Sequence, residues 1–225
     1  MSTLKQAWFF DFDGVVADTS LAKADLFVEL LPELAPEQAS QVREYCLVEG
    51  GVPRREKFVY IFREILNQKL AKDQLNALVD HFTDHVLRRV LKAPFLPGVL
   101  PAINSPRTNL HRYIISGTPH AEISAICIHR EISQFFDAIC GSPRGKADWI
   151  EHWLTEHDLP REHAVMIGDS KTDWQAAKDT GIAFLGVDFH GLGILPENEV
   201  IVPDLNDLET FIAKAQTVNQ PEFVS

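Results

Sequence analysis

Ala7-Trp8-Phe9-Phe10-Asp11-Phe12-Asp13-Gly14-Val15-Val16-Ala17-Asp18-Thr19 is the stretch on which the reading of this chain turns. Its first half is short, apolar and aromatic, as a buried strand requires. Two carboxylates and a glycine then break the run, so acidic groups stand at the strand's C-terminal end. In an extended backbone alternate side chains share a face, which points Asp11 and Asp13 the same way. A turn at Gly14 also allows a backbone carbonyl near Asp13 to face the same point.

Four further apolar runs follow late in the chain, at 113–115, 138–140, 164–167 and 183–187. Helical patterns lie between them at 121–131, 147–157 and 174–180, the last closed by Gly181. Strand and helix alternating in this way predict an α/β domain whose mostly parallel sheet is covered on both faces. Residues 19–92 break the rhythm: they carry helical patterns at 22–31, 56–66 and 74–91 and no convincing strand. Phe58, Ile61, Phe62, Ile65 and Leu66 fall on one helical face, the signature of a bundle core. His81 and His85, one helical turn apart, are read as a solvated face. Pro94-Phe95-Leu96-Pro97-Gly98 marks the return to the sheet. The expected organisation is a core domain of 1–18 and 93–225, with a helical domain of 19–92 inserted after the first strand. The last dozen residues are expected to fray.

Composition narrows the function. Thirty-two acidic residues against 21 basic ones give a formal charge of −11. Such a surface repels nucleic acid and anionic membranes, and no Lys/Arg block offsets it. The three cysteines, Cys46, Cys127 and Cys140, show neither paired spacing nor a disulfide framework, which points to a reducing compartment. With no cleavable signal pattern and no apolar run long enough to span a bilayer, a soluble cytoplasmic protein is expected.

In open α/β sheets the site lies beyond the carboxyl ends of the strands. Three of the inferred strands end there in polar residues: Asp11-Phe12-Asp13-Gly14, Ser116-Gly117-Thr118, and Gly168-Asp169-Ser170 with Asp173 four residues after Asp169. Clustered buried carboxylates call for a compensating cation. Mg²⁺ is the natural candidate, since it prefers oxygen ligands and is often held by one or two carboxylates plus a phosphate.

These residues resemble, in order, the four motifs of the haloacid dehalogenase-like superfamily. Phe10 to Thr19 resembles the first, Ile114-Ile115-Ser116-Gly117-Thr118 the second, and Gly168-Asp169-Ser170-Lys171-Thr172-Asp173 the fourth. Lys146, in Gly141-Ser142-Pro143-Arg144-Gly145-Lys146, fits the lone lysine of the third. The resemblance runs from about Trp8 to Val187. It implies a Rossmann-like parallel-sheet core with a helical cap inserted after the first strand, within the branch of phosphoglycolate phosphatases and β-phosphoglucomutases.

The resemblance also implies roles. Asp11 is the implied nucleophile, forming an aspartyl-phosphate, and Asp13 the acid and base. Asp11, the backbone carbonyl of Asp13 and Asp169 are the implied Mg²⁺ ligands, with Asp173 as a further ligand or a support. Ser116 and the amide of Gly117 would bind phosphoryl oxygens, and Lys146 would offset the charge shared by phosphate and Asp11. In the cap, Gly50-Gly51-Val52-Pro53-Arg54-Arg55 is the candidate specificity loop, with Arg54 or Arg55 facing the substrate. Asp18 would cap the first inserted helix or brace a hinge. The expected partner is a small phosphorylated metabolite, and the expected state a monomer or homodimer. Asp13 argues against a dehalogenase, while a mutase acting on sugar phosphates and a non-catalytic phosphate-binding protein on the same fold stay open beside the phosphatase.

Overall fold

The computed structural model describes residues 5–31, 33–105 and 108–218. Among them six strands form one all-parallel sheet: β1 (Gln6–Phe10), β2 (Leu110–Pro119), β3 (Ala138–Ser142), β4 (Ala164–Gly168), β5 (Ala183–Val187) and β6 (Val200–Val202). Their spatial order is β3-β2-β1-β4-β5-β6. β1 therefore lies centrally, with β2 on one side and β4 on the other. The chain order reverses at β1, and such a reversal opens a crevice beyond the strand ends.

The helices are α1 (Ser20–Glu29), α2 (Pro36–Val48), α3 (Arg54–Tyr60), α4 (Lys72–Lys92), α5 (Val99–Asn104), α6 (His120–His129), α7 (Lys146–Glu156), α8 (Lys171–Thr180) and α9 (Leu208–Val218). Five of them, α1 to α5, fall between β1 and β2, and α1 to α4 make up the insert. Strand alternation sorts the core into two layers. Ala7, Phe9, Tyr113, Ile115, Ala164 and Met166 pack on one face of the sheet. Trp8, Phe10, Ile114, Val165 and Ile167 pack on the other, in a cluster that continues through Phe12 and Val16 into Phe27, Phe58 and Phe82 of the inserted helices. The insert is thus fastened to the sheet by shared apolar surface, each buried aromatic contributing about 1.5–3 kcal/mol.

The sequence expectations need several adjustments. β1 stops at Phe10, so Asp11 and Asp13 sit on a turn and not on a strand. Gly14 turns the chain at φ +73°, and its N–H bonds the Ala17 carbonyl at 2.8 Å. The pattern at 56–66 resolves into α3 followed by a π-helical segment, Ile61–Ile65. The extra residue per turn keeps Phe58, Ile61 and Phe62 buried. Asp18 does not cap α1: its Oδ1 meets His190 Nε2 at 2.7 Å, and Thr19 occupies the cap position. α9 continues to Val218, within the stretch expected to fray, and residues 219–225 lie outside the described ones. His81 and His85 are exposed, as a solvated face requires.

Candidate active site

The crevice at the reversal point holds a cavity of about 60 Å³ between the strand ends and the inserted helices. From the sheet side Asp11, Asp13, Gly117, Thr118 and Asp169 line it, and from the insert Ser20, Lys23, Arg54 and Lys57. Asp11 follows β1 directly and is 3% exposed. Its Oδ1 accepts the Phe12 N–H at 2.7 Å and meets Lys146 Nζ at 3.1 Å. Among the described residues nothing bonds Oδ2. One oxygen is anchored while the other is free to act as a nucleophile.

Asp13 is held differently. Its Oδ2 accepts from Lys23 Nζ at 2.6 Å, and its Oδ1 from the Thr19 hydroxyl. Burial acts to raise this carboxyl, but Lys23 and Thr19 outweigh it and hold Asp13 below the usual carboxylate range. Asp11 goes the opposite way. Burial first, then repulsion from Asp173, push its carboxyl well above the ordinary value.

Asp169 follows β4, and Asp173 lies in the first turn of α8. Carboxylate oxygens of Asp11, Asp169 and Asp173 come within 4.8 Å of one another. Asp173 is fully buried and already committed on both oxygens. Oδ2 accepts from the Ser170 N–H at 3.1 Å and the Ser170 hydroxyl at 2.6 Å, closing a capping box. Oδ1 accepts from Lys146 Nζ. Burial would lower the Lys146 ammonium, but Asp11 and Asp173 outweigh it and hold it above its ordinary value. Asp169, whose Oδ2 accepts from Ser20 Oγ at 2.7 Å, is pushed up to about 7 by burial and by Asp173. Three carboxylates against one ammonium leave net negative charge in a largely buried site, and a divalent cation with oxygen preference fits that donor set.

The loop between α2 and α3 sits on these residues. A Cβ on Gly51 would overlap Thr172 Oγ1, and one on Gly117 would come within 2.5 Å of the Gly51 carbonyl. The insert therefore approaches backbone to backbone over the strand ends. Arg54 fastens the same contact: its Nη2 donates to both Glu122 carboxylate oxygens at 2.7 Å, and its Nη1 to Thr83 Oγ1 at 2.8 Å.

With that geometry in place, likeness to known proteins can be weighed. The family model described as haloacid dehalogenase-like hydrolase matches residues 8–187. The chain belongs to that family. Relatives of this hydrolase include the phosphoglycolate phosphatase of Pseudomonas syringae pv. tomato, 24% identical over 87% of this chain and 75% of the relative. The phosphoglycolate phosphatase of Mesorhizobium japonicum is 28% identical over 80% of this chain and 81% of its own length. The solved β-phosphoglucomutase of Clostridium difficile superposes with a TM-score of 0.72 at 17% identity, over 95% of this chain and 98% of that one. At that identity the superposition speaks for the fold alone.

Measured against the sequence expectations, the hydrolase brings Asp11, Asp13, Gly117 and Asp169 to one cavity, with Lys146 and Asp173 directly behind. Ser116 is buried beside them, its Oγ accepting the Thr118 N–H at 3.1 Å. Of the pair Arg54 and Arg55, only Arg54 lines the cavity, and Arg55 lies outside it. It is exposed and donates to Asn76 Oδ1 at 2.8 Å, because consecutive helix residues project about 100° apart and Arg54 takes the inward direction. Lys23 and Lys57 went unnoticed in the sequence, and Thr118 was given no role of its own within its motif. Lys57 had a signal, since it falls one position before Phe58 within a stripe that periodicity assigns to the core.

Proposed function

We propose that the hydrolase is a magnesium-dependent phosphatase acting on a small phosphomonoester through an aspartyl-phosphate on Asp11. The observation that carries this reading is the asymmetry of its first two carboxylates in one small cavity. Asp11 is anchored by one oxygen and free at the other, while Asp13 bonds the polar groups opposite. The names of the relatives, both phosphoglycolate phosphatases, favour the same class of substrate.

In this mechanism Asp11 Oδ2 attacks phosphorus, and the ester P–O bond breaks. The leaving oxygen takes a proton from Asp13, whose carboxyl the negative charge of the bound phosphoryl group raises toward its protonated form. Asp13, now a carboxylate, removes a proton from the water that attacks the aspartyl-phosphate, which releases phosphate and restores Asp11. Ser116 and the Gly117 amide donate to phosphoryl oxygens, and Lys146 balances the charge that phosphate brings beside Asp11. Asp11, Asp169 and the backbone carbonyl of Asp13 would hold the ion, with Asp173 fixing Lys146 behind them. A bound Mg²⁺ supplies charge neutralisation and orientation of the phosphoryl group. Residues 19–92 serve as a cap that excludes water during phosphorylation and readmits it for hydrolysis. The three buried, free cysteines suit a reducing, cytoplasmic setting.

The test is phosphate release from p-nitrophenyl phosphate and a panel of small phosphomonoesters, with Mg²⁺ or EDTA. Turnover should require Mg²⁺, vanish in Asp11→Asn, and fall by about 10²–10⁴ in Asp13→Asn. A folded wild type that releases no phosphate from any ester, but interconverts sugar phosphates, would replace hydrolysis by a mutase reaction.

A further inference from the structure

Two linkers join the insert to the core, and they pair with each other. The Asp18 N–H bonds the Pro94 carbonyl at 3.0 Å, and the Leu96 N–H the Val16 carbonyl at 3.2 Å. Ala17 and Phe95 are bridged antiparallel between them. A two-stranded ribbon at the junction is the natural axis for any turning of the insert. α4 runs into it through Pro94. In a helix the Val90 carbonyl accepts the N–H four residues on, but residue 94 is a proline and has none. The donor comes from the core instead. Arg130, at the C-terminal end of α6, gives Nη1 to the Val90 carbonyl and Nη2 to the Ala93 carbonyl, both at 2.8 Å. Its guanidinium carbon lies 3.9 Å over the Phe95 ring. A planar fork on two carbonyls fixes direction as well as distance, and its positive charge suits a helix C-terminus.

α6 holds the insert at its other end too, where Glu122 in its first turn grips Arg54 of α3 at 2.7 Å. The two grips differ in kind. Glu122 and Arg54 join side chains beside the cavity, away from the ribbon, so turning of the insert parts them. Arg130 holds backbone within a few residues of the ribbon, where turning leaves distances nearly unchanged. The first linker has a weaker hold, Asp18 Oδ1 to His190 Nε2 at 2.7 Å, a single pair about one-quarter exposed. α4 is the lever. Phe82, which lines the cavity, stands about 12 Å from Val90 along the helix axis, so about 10° of play at Arg130 displaces it by roughly 2 Å. A misplacement of about 1 Å can cost about a hundredfold in rate.

We infer that Arg130 is a positioning residue, the fixed bearing on which α4 and the insert turn, with Glu122 and Arg54 as the catch that parts. This rests on reading residues 19–92 as a moving cap, and not on the chemistry assigned to Asp11 and Asp13. The precision with which the insert closes is set from the core, at the far end of α6, by a side chain that does not line the cavity.

The experiment places spin labels at Asp73→Cys, on the far end of α4, and Gln175→Cys, on α8, both exposed positions. The three native cysteines are buried and stay unlabelled. Pulsed dipolar spectroscopy then reads the distance distribution in the full chain, free and with Mg²⁺ and inorganic phosphate. Glu122→Gln should add a second distance of wild-type width, because the catch is freed and the bearing kept. Arg130→Met should at least double the width, with phosphate failing to narrow it, and Arg130→Lys, which keeps the charge and loses the fork, should fall between. With p-nitrophenyl phosphate, kcat/KM should drop about tenfold or more in Arg130→Met, at an unchanged Mg²⁺ half-saturation, since the carboxylates stand on the core. Thermal melts confirm folding, and Arg130→Lys carries the comparison if Arg130→Met does not fold. A wild-type width in the Arg130 variants, or equal broadening in Glu122→Gln, overturns the inference, as would a lowered melting temperature with distances and kinetics unchanged. The predicted widths in a protein that releases no phosphate would keep the bearing and remove the phosphatase. Normal turnover with wild-type widths would do the reverse.

Discussion

Gly14 joins the two carboxylate segments of the site. Its φ of +73° is open to glycine and strained for a side chain by about 1–2 kcal/mol. A Cβ would also overlap Asp169 Oδ2 and come within 2.5 Å of Ser20 Oγ. Gly14→Ala is therefore expected to push Asp169 off its position as well as to lower the melting temperature. The Mg²⁺ concentration giving half-maximal turnover should rise about tenfold or more, as for other losses of ligand support. An unchanged magnesium requirement in a destabilised variant would separate the turn from the site. Asp11, Asp13 and Asp169 could be found from sequence because each follows an apolar run, and a carboxylate there has few roles besides function. Lys23 and Lys57 could not be found in this way. A lysine on an amphipathic helix is ordinarily solvated, and which way it turns depends on a partner helix whose placement the local pattern does not encode. Which of Arg54 and Arg55 turns inward had the same difficulty, since it depends on Glu122, distant in sequence on α6.

Elements that are buried on both sides announced themselves. All residues of β4 and β5 are buried, and their apolar runs lie where the strands do. Elements with a thin buried side did not. Of α2, only Val42 and Cys46 are buried, and β6 is a three-residue edge with one buried position. How α3 meets the sheet-side helices is likewise a tertiary matter. Arg54 spans α3, α4 and α6 through Glu122, Thr83 and the face of Phe82, 5.2 Å from the guanidinium carbon. Both ionic side chains are about one-tenth exposed, so removing one charge strands the other. Glu122→Gln should cost about 2 kcal/mol in stability and free the α2–α3 loop from Gly117. Amide exchange should quicken first at 49–58 and at 117–120, and KM for a phosphomonoester should rise more than kcat falls. Uniform exchange with a normal KM would mean that Arg54 contributes packing and does not hold the insert over the cavity.

The molecule as a whole carries its charge imbalance in the crevice. Asp169 is pushed up to about 7 and Asp11 well above the usual carboxylate value, by burial and by one another's neighbours. A folded-state value raised above the unfolded one means that the folded chain binds more protons between the two, so stability falls as pH rises through that window. For Asp169 the window runs from about 4, the unfolded value, to about 7. Asp13 opposes this, since its lowered value favours folding once it ionises, but only below the unfolded carboxylate range. The chelated protein should therefore lose melting temperature as pH is raised from 5 to 8. Saturating Mg²⁺ should stabilise it most at pH 8, where the ligands are ionised, and least at pH 5, where protons compete. Asp169→Asn removes one of the repelling charges, so its chelated form should melt higher than wild type at pH 8 and gain little from Mg²⁺. Melts that rise with pH under chelation, or a magnesium effect independent of pH, would mean that the three carboxylates do not share the excess negative charge on which the proposed cation site depends.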